Sequence, residues 1–225
     1  MDRRYFLGGL VSLGFSTFPS QLVASQSSGT LFSIVWRDID VGYSSVNLKR
    51  SDRHLTVTVD VKIEVSFLGI NFFSYSLECQ EIWENRELLS LKSKVVTGKK
   101  SEYSNGKKTS NGFEIDGSAF SGLVKGNVAT TSYFTPDFLN RNIWISTQNG
   151  KPLKVSCTKI ATEDLYTAQG KITATKWKVS GDLNLYLFYD TNNEWVGSNF
   201  RAGGSDANFI LHNKIGRNHT TWAQS

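Results

Sequence analysis

The sequence predicts an all-β fold: a curled antiparallel sheet, either a β-roll or an open barrel, with one short helix in a long loop. Apolar and polar residues alternate with a period of two, most clearly in residues 56–67, where Val57, Val59 and Val61 share one face. Such alternation is typical of antiparallel strands with one buried and one solvated side. At about 3.3 Å per residue this segment would run roughly 40 Å, and strands that long twist and curl. The pattern therefore favours a rolled sheet over a flat sandwich.

Turn residues divide the chain into short extended segments, and no segment keeps the 3.6-residue period of an amphipathic helix. The turns are predicted at residues 38–42, 51–53, 69–71, 84–86, 149–150, 181–182 and 190–193. The strands are predicted, in chain order, at residues 31–37, 43–50, 54–67, 72–83, 87–97, 111–116, 153–161, 171–180, 183–189, 194–201 and 206–212.

The long connection between residues 117 and 145 contains the predicted helix. Thr135 fits the N-cap and Pro136 the first turn, so a short helix is expected to end near Asn140. Residues 99–108, rich in Lys, Ser, Asn and Gly, are predicted to form a solvated loop.

Residues 183–189 are apolar on both faces, with Leu185 and Leu187 on one face and Tyr186 and Phe188 on the other. A strand of this kind is either covered on both sides or lines an apolar cavity. Coverage by the 117–145 connection is the first interpretation, because long connections often cap an open barrel end. A cavity is the alternative.

The first residues are typical of a twin-arginine export signal: Arg3 and Arg4 precede Phe6 and Leu7, and a Gly- and Ser-diluted apolar run ends near Ala24. We therefore expect residues 1–25 to be a signal peptide read by the twin-arginine translocase, and the protein to be periplasmic or secreted. The run is too diluted for a permanent membrane anchor. Residues 26–213 are expected to form one domain, and residues 214–225 a flexible tail.

The formal charge is +5, and removing residues 1–25, which carry two Arg and one Asp, leaves +4. The basic residues are spread along the chain, which disfavours nucleic-acid binding. Cys79 and Cys157 lie on the apolar register of their strands. Two separate buried thiols are the preferred interpretation. A disulfide between them, formed in an oxidising compartment, is the alternative.

The motifs that could indicate catalysis or metal binding are incomplete or absent in this sequence. Asp38, Asp40 and Gly42, and likewise residues 190–194, resemble the start of a calcium loop but lack its remaining ligands, so both are predicted to be turns. The histidines are scattered, and no nucleophile elbow or phosphate loop is present. The sequence therefore predicts neither a catalytic residue, nor a bound metal, nor a cofactor.

Aromatic residues make up 12% of the chain. If exposed, those of the long connection would form a platform for sugar rings or a lid over a lipid pocket. Together with the two-faced strand they are the candidate ligand-binding residues: Tyr133, Phe134, Phe138, Trp144, Tyr186 and Phe188.

Several segments resemble a family of uncharacterised exported bacterial proteins, domain of unknown function 6134. There are five such segments. In chain order they are residues 36–42; residues 81–83 together with Leu88 and residues 91–93; residues 131–133; residues 181–190; and residues 195–197. The resemblance implies a single all-β domain with a rolled antiparallel sheet, and it implies no activity or ligand. Phe134 and Phe188 stand where the family often carries Trp.

The leading hypothesis is a non-enzymatic envelope protein that binds a lipid or another apolar ligand in the concave face of the roll. One alternative is a hydrolase of envelope glycans or esters that uses Asp38, Asp40 and Glu81, which requires two carboxylates about 5–9 Å apart. The other is an assembly or scaffold factor that works through an exposed sheet edge or aromatic patch.

Overall fold

The computed structural model describes residues 26–224, which form one curled β-sheet of 15 strands. The predicted signal residues Arg3, Arg4, Phe6 and Leu7 lie outside the described residues. The all-β prediction is confirmed.

The strands are β1 (Ser27–Trp36), β2 (Ile39–Ser51), β3 (His54–Phe67), β4 (Ile70–Glu84), β5 (Glu87–Thr97), β6 (Lys100–Thr109), β7 (Gly112–Gly117), β8 (Ser121–Val124), β9 (Ala129–Thr130), β10 (Ile143–Ile145), β11 (Pro152–Thr167), β12 (Gly170–Gly181), β13 (Leu185–Asp190), β14 (Trp195–Ala202) and β15 (Ser205–Ile215). The helices are a 3-10 helix at Pro136–Asn140 and α1 at Asn218–Ala223.

Sequence neighbours pair antiparallel along most of the sheet. The strand order is β8-β7-β6-β5-β4-β3-β2-β1-β15-β14-β13-β12-β11-β10-β9, and the short β9 pairs parallel with β10. The two ends of the sheet meet where Ala119 N donates to Asn149 O at 2.9 Å. The sheet is thus rolled into a barrel-like body, as its long strands predict.

Residues 125–151, which we name the strap, run along the concave face of the sheet. The strap contains β9, the 3-10 helix and β10. Thr135 is the N-cap of the 3-10 helix, and its Oγ1 accepts a hydrogen bond from Asp137 N at 3.3 Å. The helix prediction in the long connection is therefore confirmed.

The strap fills the interior with aromatic rings. Phe134, Phe138 and Trp144 are fully buried, and the Phe138 ring lies 5.3 Å from the Trp83 ring of β4. The exposed platform that these residues were expected to form is therefore absent. Their hydrophobic surface stabilises the core instead, because each ring is removed from water among other rings.

Strand β13 is covered on both faces. On the concave side Tyr189 Oη donates to Tyr133 O at 2.8 Å, so the strap covers it as the first interpretation predicts. On the other face the side chain of Lys176, from the neighbouring strand β12, lies over the rings, with its Nζ 4.8 Å from the Tyr186 ring and 5.5 Å from the Phe188 ring. The sequence did not indicate this second cover.

The loop prediction for residues 99–108 is wrong, because these residues form β6 between β5 and β7. The inward positions of β6 are polar: Glu102 and Ser104 are buried and face the strap, where Gln148 Nε2 donates to Glu102 Oε2 at 3.0 Å. A strand with polar residues on its buried face does not show the apolar alternation of an ordinary sheet strand.

The expected flexible tail is also wrong. Residues 218–223 form α1, whose Trp222 is fully buried against Trp83, with ring centroids 5.2 Å apart. Glu194 fixes the start of this helix, since its carboxylate accepts from the backbone N–H groups of Asn218 and His219 at 2.9 and 3.1 Å. One large apolar side chain is enough to hold a polar segment against the core.

Candidate functional site

A two-stranded arm projects from the sheet where β3 and β4 outrun their neighbours. The pairing of β2 with β3 ends at Gly42–Ile63, and that of β5 with β4 ends at Thr97–Tyr75. Beyond these pairs, residues 64–67 pair with residues 70–74. We name residues 64–73 the arm.

The arm exposes apolar side chains at its end. Leu68 is 85% exposed, Phe72 65%, Ile70 61% and Phe73 43%. No residue from 65 to 77 carries a charge. Scattered exposed apolar residues are ordinary, but a contiguous uncharged set on a projecting element is typical of a binding surface.

The turn of the arm has an unusual residue. Leu68 adopts φ +50° and Gly69 φ +78°, which places a leucine in the left-handed region. Asn, Asp and Gly occupy this region most easily, whereas other residues lose roughly 1–2 kcal/mol there. The chain therefore keeps an exposed apolar side chain at a position where a polar residue would be more stable.

We expect Leu68→Asn to raise the free energy of unfolding by about 1 kcal/mol, because asparagine tolerates positive φ better than leucine. Denaturant unfolding followed by circular dichroism measures this. Leu68→Ala, which keeps a Cβ at the same φ, is the control. Equal stabilities for the two variants would show that the turn carries no strain.

Basic residues lie where the arm leaves the sheet. Lys100 pairs with Thr97, which is itself opposite Tyr75, and Lys99 is exposed in the adjoining turn. Lys62 precedes the arm on β3 and pairs with Glu64 at 3.2 Å. We name Lys62, Lys99 and Lys100 the shoulder.

The β1–β2 turn lies at the same end of the sheet as the arm. Its Arg37 guanidinium stacks 4.3 Å from the Trp36 ring, and Ile39 is 62% exposed. In this region Asp40 Oδ1 accepts from Gly42 N at 3.0 Å. The predicted turn is confirmed at residues 37–38, whereas residues 39–42 already belong to β2.

The carboxylates of the hydrolase alternative are not brought together. Asp38 and Asp40 are exposed, whereas Glu81 is fully buried. The strand registers place Glu81 level with Leu48 of β2. Leu48 is eight residues from Asp40, or about 26 Å along the strand. Glu81 therefore does not form a catalytic pair at 5–9 Å with either aspartate.

Glu81 instead links the strap to β4. Its Oε2 accepts from Trp83 Nε1 at 2.8 Å and from Ser132 Oγ at 3.3 Å. Burial raises the pKa of the Glu81 carboxyl to about 7, while hydrogen bonds from Thr130, Trp83 and Ser132 act in the opposite direction. The group is a buried polar anchor of the strap.

Cys79 and Cys157 are free thiols. Cys79 is buried in the core, as expected, and Cys157 is half-buried. Burial raises the pKa of the Cys157 thiol to about 11, which disfavours the reactive thiolate at neutral pH. The two thiols are separate in the structure, but Cys157 is less buried than the sequence predicts.

Asp190 closes the turn predicted at residues 190–194. Its Oδ1 accepts from the backbone N–H groups of Asn192 and Glu194 at 2.8 and 3.0 Å. The turn prediction is confirmed, and both carboxylates of this segment serve backbone amides.

Two surface grooves accompany these features. One, of about 420 Å³, lies between Asn142 of the strap and Ser180 of β12. The other, of about 320 Å³, lies on β1–β3 between Gly29 and Thr58. Both are lined largely by small and polar residues, unlike the apolar cavity that the leading hypothesis expected in the concave face.

The arm is the strongest candidate site, and the sequence pattern did not single it out. The available signal was the placement of Phe67, Leu68, Ile70 and Phe72 around the turn at Gly69, where polar residues are usual. Among the residues that the structure describes, neither helix has the length and apolar character needed to span a bilayer.

The fold resembles that of solved structures. It is similar to the crystal structure of a beta-barrel-like protein of domain of unknown function DUF1849 from Brucella abortus, with a TM-score of 0.58 and 6% sequence identity, covering 84% of this chain and 97% of that chain. At this identity the likeness concerns the fold alone. No match is found among curated proteins.

The sequence comparison identifies the family. Residues 32–212 match the family described as domain of unknown function (DUF6134). This match spans most of the described sheet, and the chain therefore belongs to the DUF6134 family.

Proposed function

We propose that this chain is an exported, non-catalytic protein of the bacterial envelope that binds an amphipathic partner through its arm. The observation that carries the proposal is the uncharged run of residues 65–77, which exposes Leu68, Ile70 and Phe72 on a projecting hairpin. Burying such side chains on a partner is favourable at roughly 25 cal/mol per Å² of apolar area.

The interior supports an outer rather than an inner binding surface. The strap places Phe134, Phe138 and Trp144 in the concave face, where a ligand of the leading hypothesis would lie. Expelling the strap would expose these rings and break the contacts of Glu81 with Ser132. The arm offers apolar surface without any such rearrangement.

Export supports a partner in the envelope. Arg3, Arg4, Phe6 and Leu7 form the twin-arginine pattern, and the translocase that reads it carries folded proteins. A protein delivered in this way meets lipids, glycans and envelope proteins as its neighbours. Apolar arm residues select the amphipathic partners among these.

Binding to micelles of lysophosphatidylcholine tests the proposal. We expect the chain from Gln26 onward, which contains all the described strands, to bind the micelles in sedimentation velocity experiments. The double variant Ile70→Ser, Phe72→Ser should bind at least tenfold more weakly, since each substitution removes one large apolar side chain.

Ile215→Ser is the matched control. Ile215 is 69% exposed on β15, pairs with Gly29 at the opposite end of the sheet, and should not affect binding. Absence of micelle binding, or equal binding by the arm variant, would overturn the proposal. Circular dichroism spectra confirm that each variant keeps its strands.

A further inference from the structure

We infer that residues 129–132 of the strap open locally when the buried Glu81 carboxyl loses its proton, which makes the strap a proton-controlled cover of the barrel interior. We name residues 129–132 the edge segment. Three features of the closed structure favour this opening: the weak pairing of the edge segment, an unpartnered oxygen of Glu81 and a strained bend at Tyr133. The device does not depend on what the arm binds.

The edge segment is weakly paired. It contains β9, a strand of two residues at the end of the sheet, which pairs with β10 and with no other strand among the described residues. Fixed points lie on both sides of it. Val128 O accepts from Arg141 Nη1 at 2.5 Å, and Tyr133 O accepts from Tyr189 Oη at 2.8 Å. Because the opening of a few residues costs less free energy than global unfolding, the edge segment can open while the rest of the strap stays in place.

The Glu81 carboxyl links the edge segment to β4. Its Oε2 accepts from Ser132 Oγ at 3.3 Å, and Ser132 Oγ is hydrogen-bonded to Thr130 Oγ1 at 2.7 Å. Its Oε1 is buried without a hydrogen-bond partner in the part of the chain that the structure describes. An unpartnered buried oxygen is much more costly on a carboxylate than on a protonated carboxyl. Loss of the proton therefore favours a state in which water reaches Oε1.

The surroundings of Glu81 make the edge segment the easiest way in for water. Within the sheet, Glu81 lies level with Val57 of β3 and Leu91 of β5, and neither side chain titrates. β4 itself brings the Cys79 thiol, which stays protonated because burial raises its pKa. The strap brings the cation of Arg141 among the core rings, but burial and hydrogen bonds set the pKa of Glu81. Moving β3 or β5 would break long ladders of hydrogen bonds, whereas moving the edge segment breaks only short pairings.

A bend at Tyr133 adds strain to the closed state. Tyr133 adopts φ +57°, and a bulky residue in the left-handed region is uncommon. Strained backbone of this kind persists only where the surrounding contacts fix it, and it is often found in switch regions. The φ rotation lies between the edge segment and the Tyr133 carbonyl. Opening of the edge segment can therefore relax this angle while the carbonyl keeps its hydrogen bond from Tyr189.

The pH range of the opening follows from the two environments of the carboxyl. In the closed state burial raises the pKa of Glu81 from 4.5 to about 7, and in the open state water returns the pKa toward its ordinary value. The open population therefore rises with pH between 4.5 and 7, by at most about 300-fold, and is level above that window. The strap is closed most firmly in acid and opens toward neutral pH.

Hydrogen exchange of the purified chain, followed by NMR, tests this inference. The reporter is the Thr131 amide, which donates to Ile145 O at 3.2 Å in the closed state. After correction for the intrinsic exchange rate, its open population should be at least tenfold larger at pH 8 than at pH 5. Glu81→Gln should abolish this rise because glutamine stays neutral. Glu114→Gln, a change of an exposed side chain on β7, should keep it.

Urea separates the local opening from global unfolding. A local opening exposes little surface, so exchange at Thr131 should change little in about 1 M urea, whereas exchange at Val57 in the centre of β3 should become faster. If Thr131 showed the urea dependence of Val57, the edge segment would open only when the whole protein unfolds, and the inference would be wrong. A local opening with equal populations at pH 5 and pH 8, or a rise that persists in Glu81→Gln, would show that the Glu81 proton does not control the strap.

Discussion

Replacing Trp222 with alanine should lower the free energy of unfolding by about 4 kcal/mol, the usual range for removing a buried tryptophan being roughly 3–5 kcal/mol. Trp222 is fully buried, with its ring 5.2 Å from that of Trp83 and 5.4 Å from that of Phe134. Its Nε1 also donates to Asp137 Oδ2 at 2.6 Å. The substitution leaves a cavity among three elements and removes a charge-assisted hydrogen bond.

Thermal unfolding followed by circular dichroism measures this effect, and the melting temperature should fall by roughly 10 °C. Thr220→Ala is the control, because Thr220 is exposed on the same helix and its loss should change stability by less than about 0.5 kcal/mol. If Trp222→Ala melted like Thr220→Ala, the helix would be a detached tail after all. The core would then not depend on α1.

Strands with one apolar and one polar face were predictable from the sequence, and strands with polar inner faces were not. β3 alternates over its whole length, with Val57 fully buried and Thr58 more exposed, so its register was evident. In β6 the buried positions are Glu102 and Ser104, and the hydrogen-bond partner of Glu102, Gln148, lies in the strap. Alternation of apolar and polar residues shows which positions face the core and which face water. It does not show which buried polar residues have partners far along the chain.

Which residues are exposed for binding was likewise not predictable from the local sequence. The aromatic residues of the long connection looked available because no alternation placed them on a strand, yet tertiary packing buries Phe134 and Phe138. In the sequence the arm looks like an ordinary hairpin. It differs from one only because β3 and β4 extend beyond the ends of β2 and β5, and we call this extension the overhang. That overhang depends on where β2 and β5 end their pairing, at Gly42 and Thr97, and strand ends are poorly encoded by local sequence.

Replacing Glu81 with glutamine should stabilise the protein above pH 7 by about 3 kcal/mol and have little effect near pH 4.5. The pKa of the buried Glu81 carboxyl is raised from 4.5 to about 7, so the folded state holds this proton more tightly than the unfolded state does. Unfolding then releases a proton between pH 4.5 and 7. Stability falls as the pH rises through that window and is level above it.

Glutamine removes the charge but keeps an oxygen that accepts from Trp83 Nε1. The free energy of unfolding, measured by urea denaturation at several pH values, should therefore lose its slope between pH 4.5 and 7 in Glu81→Gln. Glu114→Gln is the control, since Glu114 lies on the solvent face of β7 with its side chain 54% exposed. Identical slopes in all three proteins would show that Glu81 does not bind the proton more tightly when folded.

Ser132→Ala distinguishes a carboxylate held by the strap from one that is merely buried. Ser132 Oγ donates to Glu81 Oε2 at 3.3 Å, and this hydrogen bond lowers the pKa of the carboxyl by favouring its charged form. Without it, the upper end of the pH window should move above 7, and stability at pH 8 should fall more than stability at pH 4.5. An equal loss at both pH values would mean that Ser132 contributes packing alone. A larger loss at pH 8 would show that the strap controls the charge state of the core.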